Sequence, residues 1–206
     1  MSIFSWISAN SSVLSVFINA AMLCVWVVYL QLLLNSYLRQ RRSSILITRG
    51  AGTGLKARCL ITNMSQEPVY VTSLIAELQT DQDKSEIQLT DMRELSEDLG
   101  MDPRSAMRQG SLERGRYLDI GHFDALIEQL ANDAPNIERK TDIKAVEMTV
   151  VALYGPEELP VGAKRRFTVD WQADENTRIT PNTVVTQQIH KNSERRRLMQ
   201  ELERFL

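Results

Sequence analysis

No charged side chain precedes Arg39 in this chain of 206 residues, which has only two cysteines and two histidines. Its 24 basic and 26 acidic side chains nearly cancel. Each scarcity excludes something. Cys24 and Cys59 cannot build a disulfide framework, in keeping with a reducing compartment. His122 and His190 lie in unrelated segments, neither with a cysteine, histidine or carboxylate at metal-ligand spacing, so no metal and no other cofactor is expected. A near-neutral balance leaves no whole-chain field to recruit nucleic acid. Serines are plentiful, yet none sits in a Gly-x-Ser-x-Gly elbow, and no pair of acids stands out. An enzyme is not expected.

The missing charge at the N-terminus defines what is there instead. Val13 to Leu34 is a run of 22 residues whose only strongly polar members are Ser15, Asn19 and Gln31. At about 1.5 Å per residue, a helix of that length crosses a bilayer core of roughly 30 Å. A cleaved signal peptide would need a basic start and a shorter run. A lipoprotein site at Cys24 is opposed by the large Leu23 before it and the apolar residues after it. Apolarity on every face disfavours a buried soluble helix. Arg39, Arg41 and Arg42 then form a basic stop, whereas residues 2–12 carry no Lys or Arg. That asymmetry predicts the N-terminus outside and the C-terminal bulk in the cytoplasm, most naturally at a bacterial inner membrane.

One face of this helix is distinctive. At 100° per residue, Ala20, Cys24, Val27, Gln31 and Asn35 fall along one stripe of small and amide-bearing side chains, the kind that lets helices associate in lipid. The other reading is that Gln31 and Asn35 merely reach the headgroup region.

After the arginines the hydrophobic period becomes two, which is the mark of half-buried strands. Residues 44–63 read as a hairpin or two adjoining strands around the glycine-rich stretch Gly50 to Gly54. That stretch is a turn and not a phosphate loop, because a strand follows it where a helix would be needed. Val69 to Leu78 continues as β structure with a phase slip near Ser73, which a bulge would explain. Glu86 to Thr90 reads as a short edge strand, Tyr117 to Ile120 as a short strand, and His122 to Asn132 as an amphipathic helix. The clearest strands are Ala145 to Tyr154 and Lys164 to Trp171, joined through Gly155-Pro156 and Pro160-Val161-Gly162.

Residues 91–115 interrupt this rhythm. Asp91 and Glu94 can cap a short helix ending at Gly100, and Met101 to Gly115 reads as a loop. Met92, Met101 and Met107 would give this charged insertion an adaptable partner surface; a weakly ordered excursion is the alternative. Gln172 to Asn182 reads as a linker. From Val184 to Leu206 a helix is expected, with Leu198, Leu202 and Phe205 on its apolar face. That face would dock on its own domain, pair with another copy, or lie on the membrane.

The expected organisation is therefore residues 1–42 with a single transmembrane helix, residues 43–172 as a cytoplasmic β-domain, and residues 173–206 as linker and C-terminal amphipathic helix. About seven short strands without βαβ rhythm predict a mainly β fold, an antiparallel immunoglobulin-like β-sandwich by analogy of pattern. The function expected is that of a membrane-anchored interaction or scaffold protein, in contact with lipid and with a cytoplasmic protein partner. The alternative is a homo-oligomeric subunit of a pore or transport complex, gathered through the helix stripe.

Overall fold

Alternating side chains give each strand one apolar face, and pairing strands in register gathers those faces into one core. The computed structural model describes residues 10–40, 42–50, 52, 54–91, 108–134, 137, 139–155, 157–172 and 177–203. The chain divides into two units, Met1–Arg42 and Ser43–Leu206.

In the first unit, helix α1 spans Ser11–Gln40, longer at both ends than the apolar run predicts. Leu14 N–H donates to Asn10 O at 3.0 Å and opens its first turn. From Ser11 to Leu38 the helix is long and apolar enough to span a membrane.

The second unit is mainly β. The first sheet holds β1 (Ile45–Arg49), β2 (Arg58–Asn63) and β6 (Tyr117–His122), in the order β1-β2-β6. β1 and β2 form the expected hairpin, with Ile45 opposite Asn63 and Arg49 opposite Cys59. The second sheet is built on β3 (Val69–Gln79), β7 (Ala145–Tyr154) and β8 (Val161–Asp170), adjacent and antiparallel. The outer edge of β3 is shared by β5 (Gly110–Leu112) and β4 (Lys84–Gln88). The outer edge of β8 is shared by β10 (Gln187–Ile189) and β9 (Arg178–Pro181). Among the described residues neither sheet closes into a barrel.

The phase slip in β3 is a bulge. Val71 faces Ala152 and Ser73 faces Val151, so Thr72 has no opposite number, and its hydroxyl donates to Val151 O at 3.1 Å. The bulge keeps both halves of an apolar strand turned inward. Val69 and Val71 before it, and Leu74, Ala76 and Leu78 after it, all enter the core. Ile45, Ile47, Cys59 and Ile61 meet them from the first sheet. Helix α2 (Phe123–Asp133) adds Phe123, Leu126, Ile127 and Leu130 at helical spacing, with the Phe123 and Phe167 ring centres 5.0 Å apart. Burying each such side chain contributes about 1.5–3 kcal/mol.

Three expectations are corrected by the structure. Within the presumed insertion, Gly110–Leu112 is a strand, β5, because Val69 to Val71 offers it an open edge. The presumed linker carries β9, which pairs with the far half of β8, and the presumed start of the last helix carries β10. The last helix, α3, begins only at Asn192 and spans Asn192–Glu203 among the described residues. The helix expected after Asp91 lies outside the described residues.

The segment around β10 also finishes β1. The Gln188 side-chain amide accepts from Ile45 N–H at 3.0 Å and donates to Ile45 O at 2.6 Å. The Thr186 hydroxyl does the same for Ile47, at 3.0 and 3.3 Å. Side chains thus satisfy an edge that would otherwise offer a template to another strand.

Candidate interaction surfaces

Every side chain described in α1 from Ser11 to Leu38 is exposed within its own unit. That holds for Ala20, Cys24, Val27, Gln31 and Asn35, whose common stripe follows from helix geometry. Away from it, Trp26 and Tyr29 meet edge to face, with ring centres 6.2 Å apart and planes at 87°. Of the basic stop, Arg42 is exposed; the Arg39 side chain and Arg41 lie outside the described residues.

The C-terminal helix docks on its own domain. Leu198 is buried and joins Ile75, Val151 and Ile189 on the outer face of the second sheet, with Leu202 packed alongside. Gly162 makes room for it. A Cβ there would stand 2.6 Å from Leu198 Cδ1 and 3.2 Å from Ile189 Cδ1. The glycine that reads as turn punctuation is thus a strand position that a helix covers. Arg195, one turn before Leu198, is also buried. Its Nε donates to Pro160 O at 2.8 Å, its guanidinium also bonds Leu159 O, and it pairs with Glu157 at 3.0 Å. The Arg195–Arg197 run therefore splits, with Arg195 turned in and the other two exposed. Phe205, and with it Met92, Met101 and Met107, lies outside the described residues.

Beside α3 runs a groove of about 320 Å³ with an apolar floor of Ile75, Ile189 and Leu198. Four carboxylates, Glu77, Glu86, Glu147 and Glu194, line it against Lys164 and Arg197. The charges are largely matched. Glu77 pairs with Lys84 at 2.9 Å, and Glu147 with Lys164 at 3.4 Å. Burial alone would raise the Glu77 carboxyl, but hydrogen bonds from Lys84 and Gln79 and the charges of Lys84 and Arg166 outweigh it. The result lies below the ordinary carboxylate value. Among the described residues no cluster of three or more His, Cys, Asp or Glu could hold a metal.

Two further arginines carry structural roles that residue type alone did not reveal. Arg165 faces inward with Val161, Ala163, Phe167 and Val169. Its guanidinium lies 5.7 Å from the Phe167 ring centre and donates to Ile47 O, Thr183 O and Val184 O, joining the two sheets. Desolvation, with the nearby charge of Arg49, lowers its pKa from the ordinary value. Arg108, at a positive φ of 53°, is also buried. It donates to Leu89 O at 3.2 Å and to Gln129 Oε1 at 3.0 Å, tying Leu89 to α2. The signals were there. Arg165 is in phase with an apolar strand face, and Arg195 falls at i, i+3 and i+7 with Leu198 and Leu202. Cys59, in phase with Ile61 on β2, is a small buried hydrophobe, and burial pushes its thiol up to about 12.

Compared with protein-family models, with curated proteins and with solved structures, the chain finds no match.

Proposed function

We propose that the protein is a single-pass membrane tether that presents a cytoplasmic β-domain to a protein partner. The observation that carries the reading is α1: uncharged from Ser11 to Leu38, apolar all round, and exposed throughout its own unit. A helix of that kind is stable in lipid, where its backbone is satisfied internally and its side chains need no protein cover. The second unit has its own core and so forms a separate body on the same chain. Tethering raises a partner's local concentration at the membrane without new contact energy.

The β-domain is read as an immunoglobulin-like sandwich. The order β1-β2-β6 and, inside the seven-stranded sheet, the order β8-β7-β3 support this, matching the A-B-E and G-F-C sequences of such folds, with β4, β5, β9 and β10 added along the sheet edges. The arginines after α1 support the cytoplasmic side, and the membrane is read as a bacterial inner membrane. The test is a pair of C-terminal fusions, one active only in the cytoplasm and one only outside it, followed by crosslinking and mass spectrometry in intact cells. Activity of the cytoplasmic reporter and a recurrent foreign protein are expected. Activity of the outside reporter alone would overturn the sidedness.

A second reading rests on the stripe from Ala20 to Asn35, which includes Cys24. It makes the protein a self-associating subunit of a pore or transport complex. Conductance across reconstituted bilayers, lost in Gln31→Leu, would favour it over tethering.

A further inference from the structure

The two turns nearest the point where the chain enters the β-domain share one anchoring side chain. Asn63 is fully buried, and its side-chain amide donates to Glu67 O at 3.0 Å and to Leu112 O at 2.8 Å. Its carbonyl oxygen accepts from Ser65 N–H at 2.8 Å. Its backbone N–H donates to Arg116 O at 3.1 Å, and its backbone oxygen accepts from Gly115 N–H at 2.7 Å. The β2–β3 turn and the β5–β6 turn are thereby locked to one another.

Ser44 is locked to the same place. Met64 N–H donates to Ser44 O at 2.8 Å, and Ser44 N–H donates to the Ser65 hydroxyl at 2.8 Å. Covalent reach then matters. Ser44 is four residues past Gln40, the last residue of α1. Four residues span at most about 14 Å when fully extended. If α1 crosses a bilayer, this rim of the β-domain cannot leave the headgroup region by more than that.

What the rim displays suits such a place. Met64 and Tyr117 are 55% and 59% exposed, and Arg114 and Arg116 are exposed beside them. Arg114 donates to Gln66 Oε1 at 2.6 Å, and neither arginine is paired with a carboxylate among the described residues. Glu67 and Glu113 on the same turns balance them in formal charge, so what distinguishes the rim is its two exposed guanidinium groups beside Met64 and Tyr117. Tyrosine is at home where one end of the ring is apolar and the other wet, and guanidinium groups bind phosphate in a fork.

We propose that Met64, Arg114, Arg116 and Tyr117 form a lipid-headgroup contact surface that seats the β-domain on an anionic membrane. The proposal rests on the membrane-tether reading and deepens it: the domain is held in a set orientation rather than swinging on its leash. That orientation turns the β3–β4 turn, roughly 30 Å along β3 from this rim, away from the lipid.

The test uses full-length protein reconstituted in phosphatidylcholine vesicles, with and without phosphatidylglycerol, doped with a headgroup-level quencher. In a Cys24→Ser background, a fluorophore is attached at Tyr117→Cys or, as the distal control, at Gln82→Cys; the buried Cys59 does not compete. The label at 117 is expected to be quenched several-fold more strongly than the label at 82 in vesicles containing phosphatidylglycerol. Arg114→Gln with Arg116→Gln, exposed changes that leave the thermal midpoint in place, is expected to cut that difference. Equal quenching at both positions overturns the proposal. So does quenching at 117 that ignores both the arginine variants and the removal of anionic lipid, since proximity alone would produce it. Flotation of the same vesicles separates the two readings: protein that fails to float sinks the tether, whereas floating protein without quenching at 117 sinks only the headgroup contact.

Discussion

Leu198 sits on Gly162: the position that a side chain at 162 would occupy is already filled by Leu198 Cδ1, 2.6 Å away. The contact decides where α3 goes, because a smooth patch of strand is what an apolar helix side chain can cover. Gly162→Ala is therefore expected to cost about 1–2 kcal/mol, the range for overpacking when a flexible side-chain end can partly yield. Leu198→Ala should cost about 2 kcal/mol, somewhat below a deep-core deletion. Urea unfolding measures both. Hydrogen exchange should place the loss of protection in α3 and not in β7. Uniform loss across the second sheet would mean the helix is integral to the core rather than laid over it.

Arg195 holds the other end of that helix. Arg195→Ala leaves the Leu159 and Pro160 carbonyls and Glu157 without their donor, at an expected cost of about 2 kcal/mol. Arg195→Lys should recover only part of it, because an ammonium cannot serve three acceptors spread around a planar fork. Limited proteolysis in the 190–203 segment would show the order wild type, lysine, alanine in increasing cleavage. Equal cleavage of wild type and Arg195→Ala would show that apolar contact alone retains the helix.

Glu77 makes stability depend on acid. Its carboxyl titrates lower in the folded chain than in the unfolded one. Its contribution is therefore full above the unfolded value, about 4.3, and is lost as pH falls through the folded value. Glu77→Gln should flatten the acid limb of the stability curve and change little at neutral pH beyond the loss of the Lys84 pair. Thermal midpoints between pH 7 and pH 3 test this. A mutant curve parallel to wild type throughout would remove Glu77 from the account.

The two cysteines report on different things. Cys59 is fully buried with a thiol pKa of about 12, so it should resist alkylation until the domain unfolds. Cys24 lies exposed on the α1 stripe. Mild oxidation of protein in membranes is thus expected to give a disulfide dimer through Cys24 alone if the stripe brings two helices together, and none in Cys24→Ser. Dimer that persists in Cys24→Ser would mean that Cys59 is accessible, contrary to its burial.

The single largest feature was legible in the order of residues. A run without charge, followed by arginines, states an apolar helix whatever else the chain does, because nothing tertiary is needed to satisfy it. The β structure was legible wherever period two was unbroken, as in β7, and even the bulge at Thr72 showed as a slip of phase, since a strand must keep its apolar face inward. What could not be read was the fate of short or polar stretches. β5, β9 and β10 carry little apolar pattern of their own; each is a strand only because β3 or β8 offers it an open edge, and an edge exists only once the sheet has formed. The same holds for Arg165 and Arg195, whose charge says surface but whose donors reach carbonyls that folding has gathered around them. Side-chain period settled which segments could turn a face inward, because it is local; pairing partners, the helix resting on Gly162 and the interior arginines had to wait for contacts between residues distant along the chain.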